Sequence, residues 1–146
     1  MHIGIISTYP NQKCGIATYS ANLAKALRKL GHQITVIAEM DRPTPTATPG
    51  DISVYRTWSR ATPGGAHSLR NMLENYLASG PRPDVLSIQH EFGIFPDHEI
   101  VVEILNKTPS VITLHTVEIG QHYFNSRIGS NVIVHTPEAL AYVPSA

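Results

Sequence analysis

The sequence predicts an α/β fold built around a doubly wound, mostly parallel sheet with helices on both faces. Short β-branched runs alternate along the chain with segments of helical periodicity, an order typical of strands joined by crossover helices. Most of the runs are predominantly apolar, as parallel strands covered on both faces are. A length of 146 residues is enough for one domain and too little for two ordinary ones. We therefore predict a single domain over residues 1–146.

The first crossover unit lies at the start of the chain. Residues 3–7 form an apolar run that is too short for a helix and suits a buried strand. The next segment has apolar side chains at the spacing of one helix face, comprising Tyr19, Leu23, Ala26, Leu27 and Leu30. Gly31 follows where a left-handed C-terminal cap is expected, and residues 33–38 predict the second strand.

The middle of the chain predicts a strand and a helix between loops. Residues 41–51 are rich in proline and threonine, a composition that favours a loop without regular structure. Residues 52–57 alternate weakly and predict a third, edge-like strand. After a loop at 61–65, residues 67–79 have helical spacing, and the glycine and prolines at 80–83 end that helix.

The last part of the chain predicts three more strands, at residues 84–89, 110–114 and 131–134. A helix over 97–105 connects the first two of them, and residues 116–130 leave room for a short helix or a loop. Thr136 and Pro137 are a good N-cap and first-turn pair, and Pro144 limits the final helix to a short one.

These elements predict a Rossmann-like topology and the place of a ligand site. Right-handed crossovers and the strand order 3-2-1-4-5-6 are the most economical arrangement. In that order the chain reverses direction between strands one and four, and ligands bind outside the carboxyl ends of the strands at that point. The rule singles out residues 8–15 and 90–93, and neighbouring strand ends add His115 and His135.

Charge and cysteine content disfavour several functions. The chain has 11 basic and 11 acidic residues, which removes the simplest argument for a nucleic-acid partner. Its one cysteine, Cys14, cannot form an internal disulfide, which fits a reducing cytosol. The start lacks the basic region and cleavage site of a signal peptide, and no apolar run approaches the roughly 20 residues of a membrane span. We expect a cytoplasmic protein.

The first loop leaves two uses open for Gly15. A glycine at the start of a helix allows a phosphate to approach the backbone closely, and a helix N-terminus favours an anion. Equally, Gly15 can serve only the tight turn into the helix. The dinucleotide fingerprint and the P-loop pattern are both absent. Glu39, after the second strand, resembles a ribose-binding acid only weakly without those glycines, so nicotinamide and FAD are disfavoured.

A histidine directly follows each of three predicted strands, namely His90, His115 and His135. A lone histidine at a strand end is usually structural, but three at one ligand-binding edge suit a general base or a ligand for phosphate or sugar hydroxyls. Glu91 is an acid/base candidate or a loop contact. No paired-cysteine or H-E-x-x-H spacing supports zinc, so we expect no metal.

The order of the motifs resembles a known family. The segments that carry the resemblance are IGIISTYP at 3–10, CGIATY at 14–19, LAKAL at 23–27, QHEFGIF at 89–95, TLHT at 113–116 and VIVHT at 132–136. Together they resemble the start of a family-4 retaining glycosyltransferase of GT-B architecture. Members join two Rossmann-like domains across a cleft. The N-terminal domain mainly binds the acceptor, and the C-terminal domain holds the nucleotide sugar.

The resemblance implies roles for the candidate residues. Gly15 matches the loop whose backbone approaches the donor phosphates and the acceptor. His115 matches a strand-end histidine that faces the reacting sugar, so it is the expected catalytic residue. His90 and Glu91 match a loop that lines the acceptor cleft, and His135 matches the end of the sixth strand, facing the same cleft. The nucleotide sugar is a substrate, and such enzymes usually need no metal, so no cofactor is expected.

The sequence departs from the family pattern because it contains no donor domain, and the segment after His115 is shorter than usual. A GT-B site is built by both domains. We therefore expect the chain to be inactive alone and to need a separate donor-binding domain. The expected acceptor is a sugar or a lipid-linked sugar. With a lipid-linked acceptor, the complete enzyme would be membrane-peripheral. A fragment, a split transferase and a truncated remnant all fit. The alternatives are a non-catalytic binding or assembly module that dimerises, and a small nucleotide-binding Rossmann-like protein.

Overall fold

The computed structural model describes residues 1–40, 46–60, 65–79, 82–95, 98–117 and 131–143. Seven strands alternate with three α-helices, and a short 3₁₀ helix follows the last strand in the described part of the chain. The elements in chain order are β1 (His2–Ser7), α1 (Gly15–Lys29), β2 (Gln33–Glu39), β3 (Thr46–Thr48), β4 (Ile52–Trp58), α2 (Gly65–Ser79), β5 (Val85–His90), α3 (His98–Lys107), β6 (Ser110–Leu114), β7 (Val132–Val134) and the 3₁₀ helix (Pro137–Tyr142).

The sheet has the predicted strand order. Its strands lie in the order β3-β4-β2-β1-β5-β6-β7, and all of them except β3 pair in parallel. The six parallel strands therefore follow the predicted 3-2-1-4-5-6. In the central strand β1, Ile6 is in register with Ile37 of β2 and Ile88 of β5. The carboxyl ends of β1, β5, β6 and β7 consequently lie side by side.

One predicted loop contains a strand. Residues 41–51 are predicted to lack regular structure, but Thr46–Thr48 pair antiparallel with β4 at the edge of the sheet. The prolines at 45 and 49 flank these three residues and do not interrupt them, so each residue of the strand keeps its backbone N–H. Proline is tolerated beside an edge strand, and the prediction of an unbroken loop is therefore wrong.

Helices cover both faces of the sheet. On one face, Ile5 and Val36 pack with Ala24 of α1. On the other face, alternate residues of the same strands, such as Ile6, pack with side chains of α2 and α3, including Leu69. Because successive side chains of a strand point to opposite faces, this division confirms the doubly wound architecture.

The buried face of α1 differs from the predicted one. The structure buries Ala17, Ser20, Ala21 and Ala24. Tyr19 and Leu30, from the predicted face, have exposed fractions of 36% and 73%. Small side chains let the helix lie close to the sheet, where the hydroxyls of Ser20 and Ser7 share a 2.6 Å hydrogen bond. The small residues of α1 therefore face the sheet, and the larger apolar side chains lie at the margin of the contact.

Several predicted helix ends are confirmed. Gly31 has a φ of +87° and ends α1, and Thr136 Oγ1 accepts a hydrogen bond from the backbone N–H of Ala139 at 3.4 Å. α2 begins at Gly65, two residues before its predicted start. The predictions for residues 61–64, 118–130 and Pro144 lie outside the described residues. Among the described helices, none has the length and apolarity required to cross a membrane.

Candidate functional site

A cleft of about 500 Å³ lies at the carboxyl edge of the sheet. Its described lining consists of Cys14, Gly15, Ile16, Tyr19, Arg60, Glu91, Gly93, Ile94 and His115. Three of the five predicted site residues, Gly15, Glu91 and His115, are among them. His135 lies beside His115, whereas His90 is buried outside this lining.

Gly15 opens α1 next to free space. Cys14 is the N-cap residue, and its Sγ accepts a hydrogen bond from the backbone N–H of Ala17 at 3.3 Å. A Cβ added to Gly15 would meet no atom within 4 Å. Among the described glycines, a left-handed φ occurs at Gly31 and not at Gly15. Neither backbone strain nor packing in the described part of the chain therefore requires glycine here, which weighs against the turn-only alternative.

His115 is held by hydrogen bonds from neighbouring strand ends. Its backbone N–H donates to the carbonyl oxygen of His90 at 3.0 Å, and its Nε2 lies 3.0 Å from Oε1 of Gln89. An amide oxygen only accepts, so Nε2 carries the proton and Nδ1 of the neutral ring is an acceptor. Nε2 of His135 lies 3.2 Å from that Nδ1 and donates to it.

The surroundings of His115 favour its neutral form. Burial lowers the pKa of the His115 imidazole, the neighbouring His135 lowers it further, and the Glu91 carboxylate acts in the opposite direction. A pKa below the ordinary 6.5 leaves the ring uncharged at pH 7. Its Nδ1 is therefore a hydrogen-bond acceptor, occupied here by His135, and an acceptor of this kind suits a hydroxyl-bearing ligand.

Tyr19 packs against both of these histidines. Its ring meets His115 edge-on at a centroid distance of 4.9 Å and His135 at 5.7 Å. Sequence periodicity predicts Tyr19 on the buried face of α1 and gives no sign of this role. An aromatic wall beside polar acceptors is a usual feature of small-molecule sites.

His135 is exposed and lines a second cavity of about 280 Å³. His115, Thr136 and Glu138 also line this cavity, so the ring of His115 borders both spaces. The structure therefore brings the predicted residues His115 and His135 together, with His135 on the outer side.

His90 lies in an aromatic cluster instead of the cleft. Its ring is fully buried and stacks on Phe95, with the centroids 5.5 Å apart, and its Nε2 lies 3.3 Å from Nδ1 of His98. Burial, aided by His98 and His115, lowers the pKa of His90 to about 3. The described contacts of its side chain are structural, and its carbonyl oxygen orients His115. Direct substrate contact by His90 stays a prediction.

Glu91 connects two loops at the edge of the cleft. Its Oε2 accepts a hydrogen bond from the hydroxyl of Thr116 at 2.6 Å, and its Oε1 accepts one from the backbone N–H of Phe92 at 3.1 Å. These bonds agree with the loop-contact interpretation. A carboxylate has about four acceptor positions, so the same group can also accept from a ligand hydroxyl.

Glu39 is occupied by protein partners. Its side chain is 4% exposed. Arg60 donates to its carboxylate from Nε at 2.8 Å and Nη2 at 2.7 Å, and the Gln12 amide donates at 2.7 Å. The Glu39 hydrogen bond raises the pKa of Arg60 further above its ordinary value. A carboxylate bound in this way is not presented to a ribose, which weighs against the dinucleotide-binding alternative.

Sequence reasoning missed Arg60 and Gln89 as parts of the site. Gln89 carried a signal, because it is a polar residue next to His90 at the carboxyl end of its strand. Arg60 carried none, because its pairing with Glu39 depends on how β2 and β4 come together. No cluster of three or more histidine, cysteine, aspartate or glutamate side chains suited to a metal ion occurs among the described residues.

The sheet order defines a Rossmann-like α/β domain, and the cleft at its carboxyl edge lies at the switch point where such domains bind ligands. The model of the family described as Glycosyltransferase Family 4 matches residues 14–139. That match covers most of the chain, from the N-cap of α1 to the 3₁₀ helix, and the chain belongs to this glycosyltransferase family. No individually curated protein gave a significant match.

Proposed function

We propose that this chain is the acceptor-binding part of a retaining, nucleotide-sugar-dependent glycosyltransferase. The observation that carries the proposal is the neutral His115 at the end of β6, beside a cleft that also contains Gly15 and Glu91. Family membership supplies the reaction class. A cleft with hydrogen-bond acceptors and an aromatic wall suits a sugar, whose hydroxyls need hydrogen-bond partners.

In this proposal His115 contacts the reacting sugar. Nε2 stays bonded to Gln89, which fixes the ring and its tautomer. A sugar hydroxyl replaces His135 as the donor to Nδ1, because His135 is exposed and can turn towards solvent without breaking a buried contact. His135 then accepts or donates to a second hydroxyl of the same ligand.

The remaining site residues bind and orient the two substrates. Gly15 lets the donor phosphates approach the N-terminus of α1, where the helix dipole favours an anion. Glu91 accepts from an acceptor hydroxyl while Thr116 holds its other oxygen. His90 supports the cleft from behind through its carbonyl bond to His115.

Transfer in this proposal requires a second, donor-binding domain that closes over the cleft. The nucleotide sugar is a substrate held mainly by that domain, and the acceptor is a sugar or a lipid-linked sugar. We place the reaction in the cytoplasm, at the membrane surface if the acceptor is lipid-linked.

Binding of simple glycosides tests the acceptor role. We expect methyl α-glucoside, methyl α-mannoside or methyl α-galactoside to shift the amide resonances of Gly15, Glu91 and His115 in NMR spectra of the ¹⁵N-labelled chain. His115→Ala should weaken that binding by about tenfold, the equivalent of one hydrogen bond, without unfolding the chain. His32→Ala, at the opposite edge of the sheet, is the matched control. A Tm lowered by several degrees with binding intact would make His115 structural.

Sugar transfer tests the dependence on a second domain. Transfer from UDP-glucose or GDP-mannose to the glycoside that binds is measured with the chain alone, and then with a separately supplied donor-binding domain of a family-4 enzyme. We expect transfer only in the second case. Robust transfer by the chain alone would contradict the dependence. A dimer that binds no glycoside would favour the assembly module, and specific NAD binding at Gly15 would favour the nucleotide-binding protein.

A further inference from the structure

One buried carboxylate joins the two loops that face each other across the cleft. Glu39 stands at the end of β2, and its side chain is almost fully buried. On one side it holds Gln12, in the loop that leads to Gly15. On the other side it holds Arg60, which follows β4. Of the cleft-lining residues Arg60 binds this carboxylate, whereas Gly15, Glu91 and His115 make no described hydrogen bond to it.

Arg60 extends the connection to the second loop. While Nε and Nη2 bind Glu39, Nη1 donates to the carbonyl oxygen of Gly93. The turn that contains Gly93 follows β5, and it also carries Glu91. The guanidinium fork thus fixes the distance between the end of β2 and this turn, since its planar donors leave little freedom of direction.

Gln12 completes the connection to the first loop. Its amide N–H donates to Glu39, its Oε1 accepts from the backbone N–H of Tyr9 at 3.2 Å, and its carbonyl oxygen accepts from the N–H of Cys14 at 3.0 Å. Arg56 adds a second tie to the same loop, because its guanidinium donates to the carbonyl oxygens of Pro10 and Glu39. These hydrogen bonds therefore fix the position of the backbone just before Gly15 relative to the end of β2.

We propose that the Glu39–Arg60 pair is a positioning element that fixes the spacing of the two cleft loops, residues 8–15 and 91–95, and through it the affinity for sugar. The part about sugar affinity rests on the proposed function, whereas the part about loop spacing does not. In this scheme Arg60, which lines the cleft, acts through the two loops, and the buried Glu39 side chain does not contact substrate. Loops that already hold their binding conformation lose less conformational entropy when a ligand binds. A small displacement of a binding group lowers the affinity.

The first experiment follows the two loops without any ligand. Glu39→Gln keeps the shape of the side chain but removes its charge, and Arg60→Lys keeps the charge but lacks the planar fork that binds Glu39 and Gly93 together. We expect both changes to shift the amide resonances of Gln12, Gly93 and Ile94 and to speed hydrogen exchange at Ile94, whose N–H bonds to Glu91. Having two variants keeps the test decisive if one of them does not fold.

The matched control is a similar ion pair far from the cleft. Arg70 of α2 donates to Glu103 of α3 from Nε at 3.2 Å and Nη2 at 3.0 Å. Arg70→Lys removes the same fork geometry, and we expect it to shift only resonances of α2 and α3. Unchanged cleft-loop resonances in folded Glu39→Gln and Arg60→Lys would overturn the proposal.

The second experiment measures affinity. The methyl glycoside that binds the unaltered chain most tightly is titrated into each variant. We expect about tenfold weaker binding for Glu39→Gln and Arg60→Lys, and no change for Arg70→Lys. Shifted loops with unaltered affinity would overturn the sugar-binding half of the proposal. If the unaltered chain binds no glycoside, the proposed function fails, and the positioning role is decided by the loop resonances alone.

Discussion

The end of β5 and the ends of β6 and β7 carry the same residue type in opposite surroundings. His90 is fully buried between α3 and the turn after β5, where Phe92 and Phe95 pack on its ring. His115 and His135 lie on the other side of the sheet, beside Tyr19 and the cleft.

The difference arises from an offset of one residue. His90 is in register with Leu114 of β6, and Leu114 is in register with Val134 of β7. Side chains in register point to the same face of a sheet, and the next residue points to the opposite face. His115 and His135 each follow by one position, so they lie on the face of α1. A strand-end histidine of this sheet therefore reaches the cleft only where its position in the strand places it on the face of α1.

The largest expected effect separates the two surroundings by stability. His90→Ala removes a ring from a packed aromatic cluster, and we expect the free energy of unfolding to fall by about 3–4 kcal/mol, as for other large-to-small core changes. His135→Ala removes an exposed ring, and we expect a change within about 0.5 kcal/mol. Urea unfolding with an unchanged m-value measures both. Equal losses of unfolding free energy in the two variants would contradict the buried and exposed surroundings described for His90 and His135.

The pH dependence of stability provides the second test. The folded state holds the pKa of His90 at about 3, below about 6.5 in the unfolded chain. As the pH falls below 6.5, the unfolded chain binds the proton first, so stability is lost until the pH reaches about 3. The His90 contribution to this loss is roughly 3 kcal/mol between pH 7 and pH 4.

His90→Phe is the control for this pH effect, because phenylalanine fills the same space without titrating. The variant should therefore have a flatter dependence of unfolding free energy on pH than the unaltered chain. Unfolding curves at pH 7, 5.5 and 4 suffice for the measurement. If the two proteins lose stability in parallel over this range, His90 is not the group responsible.

A smaller effect on stability is expected at Gly15, on the open side of the sheet. Gly15→Ala adds a Cβ that meets no atom within 4 Å, and alanine favours a helix, so we expect stability to rise by about 0.5 kcal/mol. The same methyl group occupies the space proposed for substrate, and affinity for the methyl glycoside or UDP-glucose should fall. Thermal unfolding and NMR titration give the two quantities. Unchanged affinity would argue against ligand approach at Gly15.

The smallest expected effect concerns the pKa of His115. Because His135 lowers the pKa of His115, His135→Ala should raise it, while Glu91→Gln should lower it by removing a favourable negative charge. NMR titration of the His115 ring protons follows both directions. Shifts of the same sign in the two variants would contradict the electrostatic description of the site.

The sequence was sufficient for the sheet order and for part of the site. Alternating apolar runs and helical spacing determine a doubly wound sheet, because few topologies satisfy the crossover rules. The short strand β3 was missed because threonines between prolines have no pattern of their own. The buried face of α1 was misassigned because apolar size does not reveal how closely a helix approaches a sheet.

The fate of each histidine depended on long-range packing. Which face His90 takes follows from the register between β5 and β6, and that register is a property of the assembled sheet. The pairing of Arg60 with Glu39 likewise joins residues 21 positions apart, with no local pattern to reveal it. Gly15, Glu91 and His115 were predictable as neighbours because the carboxyl ends of parallel strands always share one edge.

The small-residue contact between α1 and the sheet limits how the cleft can change. The helix contacts the strands beneath it through four small buried residues, Ala17, Ser20, Ala21 and Ala24. Any larger side chain there would lift or slide α1 as a unit, and Tyr19 and Gly15 would move with it. Substitutions under the helix are therefore a route by which sequence drift or protein engineering can alter the shape of the cleft without changing the residues that line it.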